Sequence, residues 1–562
     1  MPKLWKTVER VGREADPLAA SLGIPRPLAE VLATRGLAEP VEARRFLNPR
    51  LDDLSDPTVL PDMPRAVDRI RRAAKGRERI AVFGDYDADG VTAAALLTRC
   101  LRELGAEAEP FLPLRLEEGY GLGVDALNRC LEAHRPQLVI TVDCGTGSVD
   151  AVRAAAAAGV DVVVTDHHEP AGEIAPAIAV VNPKLGDGGD LANLAGVGVA
   201  FKLAWALALR SGVDIRRIFR RLDLVATGTV ADVVPLTGEN RILVHYGLGQ
   251  LNREPLPGLA ALAEAAEVKD AIGEYHLGFA IGPRLNAAGR LGDAQAALEL
   301  LLGDDPEALL PLARQLDRGN RERQKIEADI LEEAMQDVAA LDLENNAGLV
   351  LARRGWHPGV IGIVASRIVQ RFGRPVLMIS LNEDGTGRGS GRSIEGFNLV
   401  ENLAACRDSL VRFGGHAMAA GLELKEKNLA AFREAFNRRV SETVPPDQLR
   451  PVQRVDAWLD LADADERLFE GLQALRPFGC GNPRPVWASS RVRVLGQPRI
   501  LKDKHLKMRV VSGSAQREAI GFNLAGQPLP DGPMDIAFTL DMNSYMGRET
   551  LQLKLEDFRP SP

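Results

Sequence analysis

Short apolar, β-branched runs at 80–83, 138–142 and 160–165 alternate with alanine-rich stretches at 91–101 and 149–158. Strand-like runs alternating with helical ones are the pattern of βαβ units, so residues from about 78 to 235 are expected to form a doubly wound α/β domain around a parallel sheet. Ahead of it, residues 1–75 read as a helical, charged lead-in. Past about 260 the pattern turns helical, and Ile326, Ile330, Ala334 and Val338 recur every four residues among Arg, Glu and Gln. That stripe predicts a long amphipathic connecting helix. A second α/β region begins near Gly348 and runs to about 440, and Pro445 and Pro446 then mark a linker. Beyond about 450, alternating segments at 491–495, 506–511, 536–540 and 551–555, separated by Gly, Pro, Asn and Asp, predict a small antiparallel barrel or sandwich. The expected organisation is a lead-in at 1–75, a main α/β domain at 76–300, a connecting helix at 301–345, a smaller α/β domain at 346–445 and a β-barrel at 446–562.

Composition changes this picture little. With 562 residues, 46% of them hydrophobic, the chain can bury several cores, and roughly 100–200 residues per domain gives about three or four domains. The formal net charge of −8 neither supports nor excludes nucleic acid, since a phosphate-binding surface needs only a local basic groove. Five widely spaced cysteines without a C-x-x-C pair argue against a disulfide framework and a thiolate zinc site, and fit a reducing cytoplasm. The first ten residues carry no apolar segment behind their charges, and no 18-residue apolar run occurs, so neither export nor a membrane span is expected.

The candidate chemistry lies where the three strand-like runs end. The first runs into Asp85-Tyr86-Asp87-Ala88-Asp89-Gly90, the second into Asp143-Cys144-Gly145 and the third into Asp166-His167-His168. A parallel sheet delivers all three groups to its carboxyl edge, where α/β proteins bind ligands. Mutual repulsion among Asp85, Asp87 and Asp89 raises their pKa values unless cations restore the balance. Asp232, after the apolar run at 224–226, offers a further carboxylate in register with the others. Oxygen-rich ligation with one or two imidazoles suits Mn²⁺ or Mg²⁺ better than zinc or copper. A single D-x-D after a strand also serves as a helix cap; four acidic groups in register point to metal.

These residues resemble the DHH phosphoesterases. The resemblance rests on Gly84-Asp85-Tyr86-Asp87-Ala88-Asp89-Gly90-Val91-Thr92 with Asp166-His167-His168, and it continues through Glu118-Gly119-Tyr120-Gly121-Leu122, the segment 281–290 (IGPRLNAAGR), the segment 356–362 (WHPGVIG) and the segment 414–421 (GGHAMAAG). It covers residues 50–560 and is similar in particular to the branch of bacterial 5′→3′ exonucleases specific for single-stranded DNA. The resemblance implies a DHH domain, a DHHA1-like second domain and a C-terminal OB-like barrel. It also implies two divalent ions, Mn²⁺ or Mg²⁺, with Asp87 and Asp89 holding them separately, Asp143 bridging, His167 and Asp232 completing the shell and Asp85 at its edge. His168, facing the scissile phosphate, joins Asp143 and Asp166 as the implied catalytic set. Single-stranded DNA is then the substrate, threaded between two α/β domains, with recombination and repair as the setting and a single-strand-binding protein and a helicase as partners.

For the nucleic acid, residues 353–392 carry seven arginines, among them Arg367, Arg388 and Arg392, against Glu383 and Asp384. Glycines alternating with Arg388, Ser390 and Arg392 are expected to let backbone N–H groups approach phosphate while the guanidinium groups supply bidentate contacts. The other reading of this segment is a solvated glycine hairpin. His416, set among glycines, reads either as a core imidazole or as a phosphate donor. Arg284, Asn286 and Arg290 are expected in a loop beside the metals, and Arg115 and Tyr120 at a gate near the 5′ end, with Tyr120 stacking on a base. Phe478, Trp487, Phe522 and Tyr545 are candidate platforms of the barrel, or else core. Two other functions stay open on sequence: a DHH phosphoesterase of short oligonucleotides, pyrophosphate or cyclic dinucleotides, and a catalytically silent DNA-binding scaffold.

Overall fold

The computed structural model describes residues 3–7, 15–114, 118, 121–170, 172–545 and 548–561, and of residues 544, 545 and 548 only the backbone. The chain forms two compact units, one made of residues 49–324 with 476–483, the other of residues 1–48, 325–475 and 484–562. The division falls within a single 34-residue helix, Pro306–Ala339.

The first unit is built on a five-stranded parallel sheet in the order Glu107–Phe111, Arg79–Phe83, Leu138–Thr141, Asp161–Thr165, Ala179–Val181. Its three central strands are almost wholly apolar because both faces are covered, whereas the edge strand Glu107–Phe111 leaves Glu107 and Glu109 exposed. Ile80 and Val82 enter one core with Leu138, Ile140 and Val163, while Ala81 and Phe83 enter a second core with Val139, Val162 and Val164. Period-two alternation thus divides each strand between two helical layers, the arrangement expected from the sequence. The first strand sits between the second and the third, so the chain reverses its winding there. The switch point, where sheets of this kind bind ligands, therefore lies at the carboxyl ends of Arg79–Phe83 and Leu138–Thr141.

The second unit holds a five-stranded mixed sheet in the order Leu410–Gly415, Ala419–Lys425, Thr386–Arg392, Val376–Leu381, Leu349–Arg354. It also holds a barrel. Trp487–Leu501 pairs with His505–Ser512, which pairs with Ala515–Gly521; Arg548–Pro560 and Met534–Tyr545 follow, and the last closes back on Trp487–Leu501. The strand Ala515–Gly521 escaped the sequence pattern because its alternation is interrupted by charged and small residues (AQREAIG). The N-terminal segment is largely helical as expected, with helices Ala15–Leu22, Arg26–Thr34, Pro40–Leu47 and Met63–Gly76, but it opens on a strand. Leu4–Thr7 is a strand that pairs in parallel with Val452–Val455, and Trp5 packs there with Val455, Ala488 and Ala537. Trp487 is fully buried, so it is core, whereas Phe522 is exposed.

Candidate metal centre

Three loops leave the carboxyl edge of the parallel sheet and one helix end meets them. After Arg79–Phe83, Asp87 caps the helix Ala88–Glu103, its Oδ1 accepting from the N–H groups of Asp89 (3.0 Å) and Gly90 (3.1 Å). Asp89 lies in the first turn of that helix and is fully buried. Its two oxygens accept from the N–H groups of Gly196 (2.7 Å) and Val197 (2.8 Å), at the start of the helix Gly196–Ser211. Two helix N-termini therefore face this loop and favour its negative charge. Asp143 follows the strand Leu138–Thr141 with a left-handed backbone (φ 63°), a conformation that aspartate tolerates better than most residues.

Small residues make the convergence possible. A Cβ at Gly196 would lie 2.5 Å from Asp143 Oδ1, and one at Gly90 would lie 2.5 Å from the Asp85 carbonyl oxygen. A Cβ at Gly228 would lie 2.3 Å from Thr92 Oγ1 and 2.9 Å from Asp89 Oδ1. These glycines are packing requirements of the acidic loops.

His167 Nε2 lies 3.0 Å from Asp143 Oδ1, 3.7 Å from Asp232 Oδ2 and 3.8 Å from Asp89 Oδ2. Three sets of ligand atoms lie within 4.8 Å of one another: Asp85, Asp87 and Asp143; Asp89, His167 and Asp232; and Asp143, His167 and His168. Asp143 and His167 thus each belong to two sets. Both Asp143 Oδ1 and His167 Nε2 are buried without a hydrogen-bond partner, an arrangement that costs free energy unless an ion supplies the missing contact. Hard carboxylate oxygens with imidazole nitrogen are a donor set that fits Mn²⁺ or Mg²⁺.

The electrostatics agree with that fit. Burial, and then the charge of Asp87, push the Asp89 carboxyl up to about 7. Burial, and then the charges of Asp89 and Asp87, hold Asp143 and Asp232 well above the usual carboxylate range. Desolvation, more than the mutual repulsion argued from sequence, is the larger cause. His167 is pushed down to about 3, by burial first and then by the charge of His168, so it stays neutral with a lone pair available for a cation. Its neighbour is set the other way. His168 Nδ1 lies 2.8 Å from Asp166 Oδ1, which also accepts from the N–H groups of His167 (2.7 Å) and His168 (3.1 Å), while Asp166 Oδ2 accepts from Thr146 N (2.9 Å). Burial disfavours both charges, but these hydrogen bonds and the mutual attraction outweigh it, holding Asp166 below the usual range and His168 above it.

Asp232 departs from the sequence picture. Residues 224–226 lie in the helix Leu222–Ala231, and Asp232 is its C-cap, so the fourth carboxylate arrives from a helix end and not from a strand. A helix C-terminus repels negative charge, which leaves a cation as its natural partner. Arg284, Asn286 and Arg290 also lie on a helix, Gly282–Leu291, and not in a loop. Asn286 Oδ1 accepts from Ala88 N (2.8 Å), between Asp87 and Asp89. Arg284 is bonded to Asp317 (2.8 Å) and the Ala280 carbonyl (2.6 Å). Arg115 and Tyr120 lie outside the described residues. The sequence reading passed over Asn182, whose Nδ2 donates to Thr146 Oγ1 and to the His168 carbonyl, each at 2.9 Å. It also passed over Lys184, two residues on, which pairs with Glu169 at 3.0 Å. The available signal was an apolar run, residues 179–181, ending in Asn-Pro-Lys at the same sheet edge.

In the second unit the basic stretch is largely spoken for. Arg353 pairs with Asp337, Arg354 with Glu426 and Arg367 with Glu327, and Arg374 donates to the Asn346 carbonyl (2.8 Å). The glycine segment is a strand paired on both edges, so its N–H groups serve the ladder and not a phosphate. Gly387, Gly389 and Gly391 face Ile379, Leu381, Leu422 and Leu377 at distances where a Cβ would collide. Arg388, Ser390 and Arg392 occupy the alternate positions. A Cβ at Gly362, in the first turn of the helix Ile361–Phe372, would lie 2.8 Å from Ser390 Oγ and 3.1 Å from Arg392 Nη2, so a helix N-terminus, a hydroxyl and a guanidinium meet there. His416 is exposed, which removes the core-imidazole reading.

A doubly wound sheet with these acidic and imidazole groups at its switch point defines a DHH-family phosphoesterase, and the DHH family N-terminal domain model matches residues 79–229. The DHHA1 domain matches residues 345–442 and the RecJ OB domain residues 455–557. The chain is 38% identical over 563 residues to the single-stranded-DNA-specific exonuclease RecJ of Dickeya dadantii, covering 96% of each chain. It is also similar to two crystal structures of RecJ from Thermus thermophilus. The complex with Mn²⁺ has a TM-score of 0.84 at 33% identity, covering 99% of this chain and 79% of that one. The complex with Mg²⁺ has a TM-score of 0.80 at 30% identity, covering 99% and 78%. The chain belongs to the RecJ family of single-stranded-DNA-specific exonucleases.

Proposed function

We propose that the chain is a metal-dependent phosphodiesterase that shortens single-stranded DNA from its 5′ end and releases 5′ mononucleotides, serving recombination and repair. The observation that carries this reading is the convergence of Asp89, Asp143 and Asp232 on His167, whose Nε2 lies within 3.8 Å of a carboxylate oxygen of each. Two divalent ions there would supply an activated water and neutralise charge on the scissile phosphate. Asp87, Asp89, Asp143, His167 and Asp232 would hold them, with Asp85 at the edge.

The remaining roles belong to the protein's own groups. Asp166 fixes the turn that carries both histidines and favours the protonated form of the His168 imidazole, which suits His168 to donate a proton or a hydrogen bond to a phosphate oxygen. Arg290, Arg388, Ser390, Arg392 and His416 are the proposed phosphate contacts, and Arg115 and Tyr120 the contacts at the 5′ end. Arg284, Asn286 and Arg367, already engaged in the protein, act by positioning backbone and helices. A nuclease confined to single strands depends on a supply of unpaired DNA, so a helicase and a single-strand-binding protein are the partners this reading calls for.

Degradation of end-labelled oligonucleotides tests the proposal. Mn²⁺ or Mg²⁺ should support stepwise loss of 5′ nucleotides from a single strand, with a duplex and a dinucleotide far poorer substrates, and EDTA should stop the reaction. Asp143→Ala should fold and lose activity; wild-type rates in that variant contradict the mechanism.

A further inference from the structure

Residues 274–291 form one continuous helical segment: Glu274–His276, a π-helical turn Leu277–Ile281 and the helix Gly282–Leu291. One side of it grips the metal-bearing loops. A Cβ at Gly278 would lie 3.7 Å from Val230 Cγ1 and one at Gly282 would lie 3.0 Å from Ala231 Cβ, the residue before Asp232. Asn286 then holds Ala88, and a Cβ at Gly289 would lie 2.5 Å from the Tyr86 carbonyl oxygen. The segment therefore runs along the rim of the centre from Asp232 to the Asp87–Asp89 loop.

Its solvent-exposed surface carries Tyr275 and Phe279, which nothing in the mechanism uses. The two residues are 66% and 70% exposed, yet the rings are stacked against each other, with centroids 4.9 Å apart and planes inclined at 26°. Two large aromatics left in water on adjacent turns, stacked on each other, are an informative exception to burial. Their backbone is fixed. Glu274 anchors the start of the segment through Arg476 (2.8 Å), and Phe279 lies within the widened π turn Leu277–Ile281 that leads into Gly282, a distortion frequent at functional sites. Val233, directly after Asp232, is likewise exposed (67%) and held at φ 64°, a conformation unfavourable for a β-branched side chain.

We propose that Tyr275 and Phe279 form a stacking platform for the bases of the single strand whose phosphodiester is at the metals. This rests on the nuclease reading above. An unpaired base has a bare π-face at each nucleotide, whereas a duplex has none to offer along its length, so a platform of this kind selects single strands without selecting sequence. It sits on the same rigid segment that positions Asp232 and the Asp87–Asp89 loop, which ties the place of a stacked base to the place of the cleaved bond.

The test uses the full chain with Mn²⁺ and three 5′-phosphorylated substrates: an oligothymidylate, an abasic strand of equal length and charge, and a chromogenic phosphodiester that senses the metal centre alone. Tyr275→Ala/Phe279→Ala should raise KM for the oligothymidylate by about ten- to a hundredfold, the range expected for losing one stacked base. Its KM for the abasic strand and its rate on the chromogenic ester should not change. Tyr275→Trp/Phe279→Trp should keep the wild-type preference for the base-bearing strand, and Tyr275→Leu/Phe279→Leu should lose it, which separates stacking from mere apolar cover. If the alanine pair degrades the oligothymidylate with wild-type KM, or loses affinity equally for the abasic strand, the platform is wrong and the rings serve a protein partner or the fold. If wild-type protein fails to degrade any single strand while hydrolysing the chromogenic ester, the nuclease reading falls and the platform with it.

Discussion

At the residue scale the centre depends on carboxyls that hold protons until a metal replaces them. Asp89 sits at about 7, with Asp143 and Asp232 raised as well. Raised folded-state values mean that their protons stabilise the metal-free protein at low pH and that this contribution is lost as pH rises through about 7. Mn²⁺ must displace those protons, while His167, already neutral, offers no competition. The rise in melting temperature on adding Mn²⁺ should therefore grow steadily from pH 5.5 to pH 8, as affinity gains up to about tenfold per pH unit for each displaced proton. A rise that stays constant across that interval would contradict the assignment. Gly228→Ala is the complementary steric probe. In an ordinary helix interior the change stabilises by about 1 kcal/mol. Here the added methyl meets Thr92 Oγ1 and Asp89 Oδ1, so overpacking should cost about 1–3 kcal/mol and lower Mn²⁺ affinity, both readable in melting curves with and without the metal.

At the element scale the centre is assembled from three strand ends and one helix end, clamped by the segment 274–291. Asn286 is the contact that matters most in that clamp. Removing its carbonyl leaves the buried N–H of Ala88 without an acceptor, a loss of about 1–3 kcal/mol. Asn286→Ala should accordingly lower stability by that amount and weaken Mn²⁺ binding about ten- to a hundredfold, as for other residues that orient ligands. Unchanged Mn²⁺ affinity by calorimetry would reduce Asn286 to packing. The strands were legible because each is a dense apolar run between helical stretches; residues 80–83, 138–142 and 160–165 correspond to Arg79–Phe83, Leu138–Thr141 and Asp161–Thr165. Asp232 was legible as a candidate ligand but not as a helix cap, since Leu224, Val225 and Ala226 suit a buried helix as well as a strand. The glycines of Thr386–Arg392 misled for a related reason. Alternating glycine reads as open backbone in sequence, and only tertiary packing shows Leu and Ile filling the space they leave.

At the scale of the whole molecule, each unit carries its own cores, and among the described residues no helix is long and apolar enough to cross a membrane. The two units differ in how far sequence could reach. The candidate ligands other than Asp232 follow strand ends, where position along the chain and position in space are nearly the same information. Arg353, Arg354 and Arg367 read as a free basic stretch because their partners Asp337, Glu426 and Glu327 are distant in sequence. The central claim is that Asp89, Asp143, His167 and Asp232, drawn from four separate segments, jointly hold divalent metal. Anomalous diffraction at the manganese edge from crystals grown with Mn²⁺ tests it directly. The account predicts strong peaks within bonding distance of those four side chains, reduced when Asp143 is replaced by Ala; an ordered crystal with no manganese between them would contradict it.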